Sequence, residues 1–283
     1  MMTRILITGG TGFVGSNLIT YLSGKKYKIR LLARKPPKTD THTEVFTGDL
    51  ANKEDVTAAL RGMDAAYYLV HSMSQTRKFS DIERVCAENF AQACTANKVK
   101  RIIYLGGIID PECNLSMHLK SRQTVGNILR TSSAKVTELR ASIIIGKGNP
   151  SYDLIRLLVK RLPVLVLPAS TNNLCQPIAL EDVLYYLEGC LKKKETAGKV
   201  YDIGGANVLS YKKLLHKCAD EIGKRIAILT VPFLPLGLVS HCIAIITKQP
   251  SNLVRALIES LRCNTVCNET RVQKVLPRKP RSF

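Results

Sequence analysis

Apolar residues recur along this chain in two rhythms. Short, nearly continuous apolar runs stand at 4–7, 28–33, 45–50, 65–70, 99–105 and 136–145. Between them lie segments whose apolar positions return every three or four residues, at 13–22, 53–61, 81–98 and 119–130. A run without alternation predicts a strand covered on both faces, and the three-to-four spacing predicts an amphipathic helix. Strand and helix alternating at this pitch predict βαβ units, hence an α/β fold with a doubly wound parallel sheet.

The pattern loosens after Gly146-Lys147-Gly148. A helix is predicted over 153–160 and a short strand over 164–167, between Pro163 and Pro168. Gln176-Pro177-Ile178 leads into a helix over 181–192 with Glu181 and Asp182 in its first turn, where carboxylates favour the helix dipole. A strand over 199–203 ends at Gly204-Gly205, and Ser210 is a suitable N-cap for a helix over 211–222. We therefore expect a nucleotide-binding core over 1–205, with part of 149–180 given to a lobe, and a C-terminal substrate or partner lobe over 206–283.

The turn after the first strand carries the sharpest chemistry. It reads Thr8-Gly9-Gly10-Thr11-Gly12-Phe13-Val14-Gly15, between a predicted strand and a predicted helix. Gly9 would permit the tight turn, Gly12 a close approach of backbone to a pyrophosphate, and Gly15 close helix–strand packing. The N–H groups at the helix start would face the phosphates. This is the dinucleotide fingerprint of a Rossmann-type unit, and it predicts cofactor contacts from Gly9, Thr11, Gly12, Phe13, Val14 and Gly15. The second strand ends not on the acid that would bind an NAD ribose but on Arg34 and Lys35, two cations suited to the 2′-phosphate of NADP. NADP(H) is therefore expected over NAD(H), although Lys35 also reads as part of a generally basic surface. Asp49 and Leu50 follow the third strand, where Asp49 could accept from the adenine amino group or close a turn. Val70 ends the fourth strand, and His71 and Ser72 follow it at the carboxyl edge, where His71 could line the nicotinamide site or cap a loop.

The formal net charge is +20, from 42 Lys and Arg against 22 Asp and Glu. Such an excess favours anionic partners. The cations are scattered and lack the aromatic interleaving of single-strand binders, so nucleic acid is not expected. The excess reads first as a generally basic solvated surface, with an anionic membrane surface or a protein partner as the alternative, beside an unknown small-molecule substrate. Nine Cys without metal-ligand spacing read as free, mostly buried thiols, among them Cys86, Cys94, Cys190 and Cys218. The start, Met1-Met2-Thr3-Arg4, has no separate apolar region, so no cleaved signal is expected and a cytoplasmic setting is, with peripheral contact to the inner face of a membrane. Residues 226–247 carry no charge. Pro232 and Pro235 interrupt them, and the remaining helical part would reach only about 18 Å, short of a hydrocarbon core of about 30 Å. This segment is read as strand, turn and apolar helix, buried in the protein's own core first, with pocket lining and membrane contact as alternatives.

Several motifs resemble the short-chain dehydrogenase/reductase superfamily, in its extended and atypical branches. They are the glycine turn, Tyr67-Tyr68-Leu69-Val70-His71-Ser72-Met73, Tyr104-Leu105-Gly106-Gly107, His118-Leu119-Lys120-Ser121-Arg122, Leu139-Arg140-Ala141-Ser142, Gln176-Pro177-Ile178, Asp182-Val183 and Tyr201-Asp202-Ile203-Gly204-Gly205. The set is similar to a bacterial NAD(P)H-binding, epimerase-like group related to NmrA-like regulators and to the nucleotide-binding accessory subunit of respiratory complex I. Some members of that group continue into a further C-terminal domain, which is not expected here. The resemblance implies a Tyr and a Lys with three residues between them on the helix after the fifth strand, and a Ser or Thr at that strand's end. Here His118 and Arg122 stand on that helix and Gly106-Gly107 at the strand end. His118 could move a proton near neutral pH and Arg122 could hold ribose hydroxyls. Two functions follow. One is an NADPH-dependent reductase of a quinone-like or carbonyl acceptor; the other is a non-catalytic NADPH-binding accessory or redox-sensing protein. Tyr104 and Arg140 are expected to be structural, Arg140 through a buried pair with an acid.

Overall fold

The computed structural model describes residues 2–35, 43–71, 77–232 and 234–282, with backbone alone at 77–79 and 236. The first half runs β1 (Thr3–Thr8), α1 (Phe13–Leu22), β2 (Tyr27–Ala33), β3 (Thr43–Thr47), α2 (Lys53–Ala59), β4 (Ala65–Tyr68), α3 (Arg77–Ala96), β5 (Arg101–Gly107), α4 (Met117–Leu129) and β6 (Lys135–Ala141). The second half runs β7 (Ile144–Ile145), α5 (Pro150–Arg161), β8 (Val164–Pro168), β9 (Leu174–Cys175), β10 (Ile178–Ala179), α6 (Leu180–Lys192), β11 (Val200–Ile203), β12 (Leu209–Ser210) and α7 (Tyr211–Glu221). It closes with β13 (Ala227–Val231), α8 (Leu236–Thr247), α9 (Ser251–Ser260) and α10 (Arg271–Val275).

Seven strands form one sheet in the order β3-β2-β1-β4-β5-β6-β11, parallel at every pairing. Its two faces are both covered, which is why the strands read as unbroken apolar runs. In β1, Ile5 and Ile7 pack with α1 and α6, while Leu6 points the other way into the cluster under α2, α3 and α4. Tyr67 and Tyr68 divide in the same manner. Tyr104 is buried against Tyr68, as expected of a core residue. The strand order turns back between β1 and β4, and such a switch point opens a crevice at the carboxyl ends of the strands.

A second core lies beyond the sheet, built from α5, β8, α7, β13, α8 and α9. Of residues 206–283, those up to about 261 stay with this core. The last stretch returns to the sheet: Val272 and Leu276 join the cluster under α6, and Asp182, fully buried, takes the Arg278 side chain and the Arg281 N–H at 2.8 Å. The strand expected over 136–145 breaks in two. Ser142 and Ile143 leave the sheet, and Ile144 and Ile145 pair with Ile178 and Ala179 instead. The third strand ends at Thr47 rather than at Leu50, because the Asp49 N–H turns to the Asp55 carboxylate at 2.9 Å.

The expectation of free thiols throughout is corrected by a disulfide between Cys113 and Cys263. The two are 150 positions apart, so no local spacing announces the pair. Folding brings the loop before α4 against the segment after α9. Cys86, Cys94, Cys175, Cys190 and Cys218 are free and buried, as read. Closing so long a loop restricts the unfolded chain, so Cys113→Ser should lower stability by about 2–4 kcal/mol. Chemical denaturation of the two proteins under non-reducing conditions checks this; equal midpoints would refute it.

Candidate functional site

The glycine turn has the geometry its sequence requires. Gly9 sits at φ +73°, and a Cβ there would come within 2.6 Å of the Leu69 carbonyl. Its own carbonyl accepts the Gly12 N–H at 3.0 Å. A Cβ on Gly15 would lie 2.3 Å from that same Gly9 oxygen, so α1 closes on the turn only with glycine at 15. Gly10, to which the sequence reading gave no role, packs under Leu31, whose Cδ1 would be 2.4 Å from an added Cβ. Gly12 differs from these three: an added Cβ would meet only the Gly9 oxygen, at 3.3 Å. Gly12 is the N-cap of α1 and brings no side-chain cap. The first-turn N–H groups of α1 thus keep no intrahelical partner and favour an anion. The residues present fit a dinucleotide diphosphate, which Gly12, Phe13, Val14 and Gly15 would hold.

These residues open into a cavity of about 560 Å³ at the switch point. His71, from the end of β4, lines it together with Gly106, Gly107 and Ile108 beyond β5, His118 and Arg122 on α4, and Ser142 beyond β6. Gly9, Gly12, Phe13, Val14, Gly15, His71, His118 and Arg122 are therefore brought to one site. Thr11, Arg34, Lys35, Asp49, Leu50 and Val70 are not part of that lining. Arg34 and Lys35 are exposed past the end of β2. Asp49 closes a turn by accepting the Ala51 N–H at 3.0 Å. Leu50 is buried and Val70 packs against the cluster under α3. Ser72 and Met73 lie outside the described residues.

The two histidines touch edge to face, with ring centroids 4.5 Å apart. His71 Nδ1 stands 3.6 Å from Glu83 Oε1, and Ser121 donates to the same carboxylate. Arg122 donates to the Leu105 carbonyl, and its own carbonyl accepts from the Tyr104 hydroxyl at 2.8 Å. The guanidinium is thereby fixed at the end of β5. His71 Nε2 and His118 Nδ1 are buried without a partner among the described residues.

Burial, His71 and Arg122 together push His118 down to about 3, and burial with Arg122 also lowers His71. This differs from the expectation of a group titrating near neutral pH: at pH 7 the ring is neutral, with one nitrogen to donate a hydrogen bond and one to accept. The linkage has a definite sign. Between about 3 and the ordinary histidine value near 6.5 the unfolded chain binds the proton that the folded chain refuses. The cost of burying a neutral His118 therefore grows as pH falls through that window. The acid limb of the stability curve should be shallower in His118→Gln than in the parent, measured by denaturation between pH 4 and 7; parallel limbs would contradict the assignment.

Sequence reasoning missed Glu83, which no spacing ties to His71, and the far wall of the cavity. That wall is aliphatic: Leu154, Leu158, Leu214, Ile243, Leu257 and Leu261 all come from the second core. Where it meets the histidine end, three hydroxyls converge. Thr265 Oγ1 is 2.8 Å from Ser142 Oγ and 2.9 Å from the Tyr211 hydroxyl. The cavity is thus polar at one place and apolar beyond it.

Comparison with known proteins agrees with this construction. Residues 9–145 match the family model described as NAD(P)H-binding. A ceramide reductase of Caulobacter vibrioides is 26% identical over 184 residues, covering 63% of this chain and 57% of that protein. A 3-beta-hydroxysteroid dehydrogenase of Mycolicibacterium neoaurum is 40% identical over 67 residues, 23% of this chain and 18% of the relative. The matches thus span well under two thirds of either relative's length. The solved structure of a nucleoside-diphosphate-sugar epimerase from Staphylococcus aureus superposes with a TM-score of 0.78 at 18% identity, over 99% of this chain and 98% of that one. Residues 9–145 thus match an NAD(P)H-binding domain, and the fold is a Rossmann-type doubly wound parallel sheet.

Proposed function

We propose that this protein is an NADPH-dependent reductase of an apolar carbonyl or quinone-like acceptor. One observation carries the reading: a single cavity joins the glycine turn and His118 to the aliphatic wall of the second core. Two relatives whose names give apolar substrates, ceramide and a hydroxysteroid, support the same class. Gly12 to Gly15 would hold the diphosphate and Arg122 the nicotinamide ribose. Arg34, with Lys35, would take the 2′-phosphate at the end of β2. When bound, the nicotinamide supplies a hydride. His118, neutral at pH 7, orients the acceptor by an imidazole N–H bond to its oxygen. A neutral imidazole is a weak acid, so the proton that completes the reduction would come from solvent, and an acceptor whose oxyanion is delocalised suits this site better than a simple ketone. The apolar wall excludes water from the acceptor's chain.

Fluorescence titration with NADPH and NADH, followed by NADPH oxidation with quinones and enones, tests the reading. Arg34→Ala should weaken NADPH binding about tenfold, the scale of one charge-assisted phosphate contact, and leave NADH little changed. His118→Ala should lower turnover by about 10²-fold, as loss of one donor to a developing oxyanion does. NADPH binding without oxidation by any acceptor would overturn the reductase and leave a binding protein.

A further inference from the structure

The second core is apolar on the outside as well as within. On α8, Val239, Ile243 and Ala244 are buried, and Ile243 reaches the cavity. The opposite face presents Leu238 at 59% exposure, Cys242, and Ile245 at 65%, positions that share one side of a helix. The β8–β13 pair repeats the arrangement. Leu165, Leu167 and Ile228 point inward, while Val164, Val166 and Leu229 are 47%, 48% and 57% exposed. A helix apolar on two opposite faces, with His241 exposed beside the outer one, and a two-stranded ribbon apolar on both faces exceed what this small core needs.

The charges around these faces are mostly cationic, with Asp220 and Glu221 exposed at the end of α7 as the nearest acids. Lys160, Arg161, Lys224, Arg225 and Lys248 are exposed at the ends of the same elements. Lys224 donates to the Lys160 carbonyl and Arg161 to the Ile246 carbonyl, which ties the cations to this side of the lobe. Residues 154–180 and 222–258 contain no Asp or Glu at all. At the chain's own frequency of 22 acids in 283 residues, segments of that combined length would carry about five. Apolar residues rimmed by an excess of cations complement the interfacial zone of an anionic bilayer. Spanning is a separate matter: no helix among the described residues is long and apolar enough to cross a membrane.

We propose that the outer faces of α8 and the β8–β13 ribbon dock this protein on an anionic lipid surface. Leu167 and Ile243 line the cavity from the inner faces of β8 and α8, so the docked side is also a wall of the apolar chamber. An acceptor dissolved in the bilayer would then lie beside the chamber that receives it. The proposal concerns lipid contact and does not depend on turnover.

Flotation with phosphatidylglycerol vesicles and with phosphatidylcholine vesicles tests it. The wild type should float with the anionic vesicles at low salt, lose most of that binding as salt rises, and bind phosphatidylcholine at least about tenfold less. Leu238→Glu combined with Ile245→Glu alters only exposed side chains. It should reduce flotation about tenfold or more while NADPH titration is unchanged. Lys160→Glu combined with Arg225→Glu should act in the same direction and lessen the salt dependence. Wild type left wholly in the soluble fraction would overturn the proposal, and so would a Leu238/Ile245 variant that floats as well as the parent. A wild-type dimer that becomes monomeric in that variant, with flotation in neither, would assign the face to a second copy instead.

Discussion

Gly15→Ala is expected to abolish saturable NADPH binding and to lower stability by about 1–3 kcal/mol. The added methyl would lie 2.3 Å from the Gly9 oxygen and 2.7 Å from the Gly10 Cα. Both neighbours are backbone, with no side chain to rotate away, and Gly9 is itself held at φ +73°. Relief must come from moving α1 off the turn, which carries the phosphate-facing N–H groups with it. Gly12→Ala is the informative control. Its methyl meets only one atom, at 3.3 Å, so the fold should keep nearly its full midpoint. It should nevertheless bind NADPH much more weakly, because the methyl projects where the diphosphate must approach. Thermal unfolding and NADPH titration of both variants separate the two roles. If Gly12→Ala binds as the parent does, the diphosphate is not held at this turn.

The parts of this architecture that sequence discloses are those built from neighbours in the chain. The unit from β1 through α1 to β2 is legible because burial on both faces leaves Ile5, Leu6 and Ile7 no polar alternation, and because each glycine acts within eight positions of the others. The expected pair of Arg140 with an acid is present, with Glu138 two residues away. Contacts across long separations leave no such trace. Tyr211, Ser142 and Thr265 meet only after the second core has formed from four separate stretches. Cys113 reaches Cys263 by the same route. His118 and Arg122 could be placed on one helix face from their spacing, but the burial that empties His118 of its proton, and the His71 beside it from the loop after β4, come from elsewhere in the chain. The uncharged stretch over 226–247 carries core, cavity wall and exposed face at once, on alternate sides of one strand and one helix, and its composition alone does not sort them.

Glu138→Ala is expected to cost about 3–5 kcal/mol, the scale of breaking one side of a buried ion pair. Glu138 is 2% exposed on β6 and holds Arg130 of the α4 end and Arg140 of its own strand, the latter at 3.0 Å. Arg130 can turn toward water, but Arg140 is more enclosed and would be left poorly compensated. The carboxylate also explains a departure that the resemblance left bare. A Cβ on Gly106 would stand 3.0 Å from Glu138 Oε1, and one on Gly126 3.0 Å from Oε2. The strand end lacks a side chain at 106 because a buried acid on the next strand fills that space, and α4 approaches the sheet over the same carboxylate. At Gly107 the neighbours are Leu119 and Arg122, at 3.1 and 3.7 Å. Gly106→Ala should therefore be damaging alone and tolerated better once Glu138 is Ala, since the methyl then has room. A double-mutant cycle on stability should show coupling of about 0.5–3 kcal/mol between 106 and 138, and Glu138→Gln, which keeps the shape, should lose less than Glu138→Ala. Because α4 carries His118 and Arg122, NADPH binding should weaken in Glu138→Ala at temperatures where the fold persists. Strict additivity would mean that Gly106 is empty for the cofactor's sake and not for the acid's.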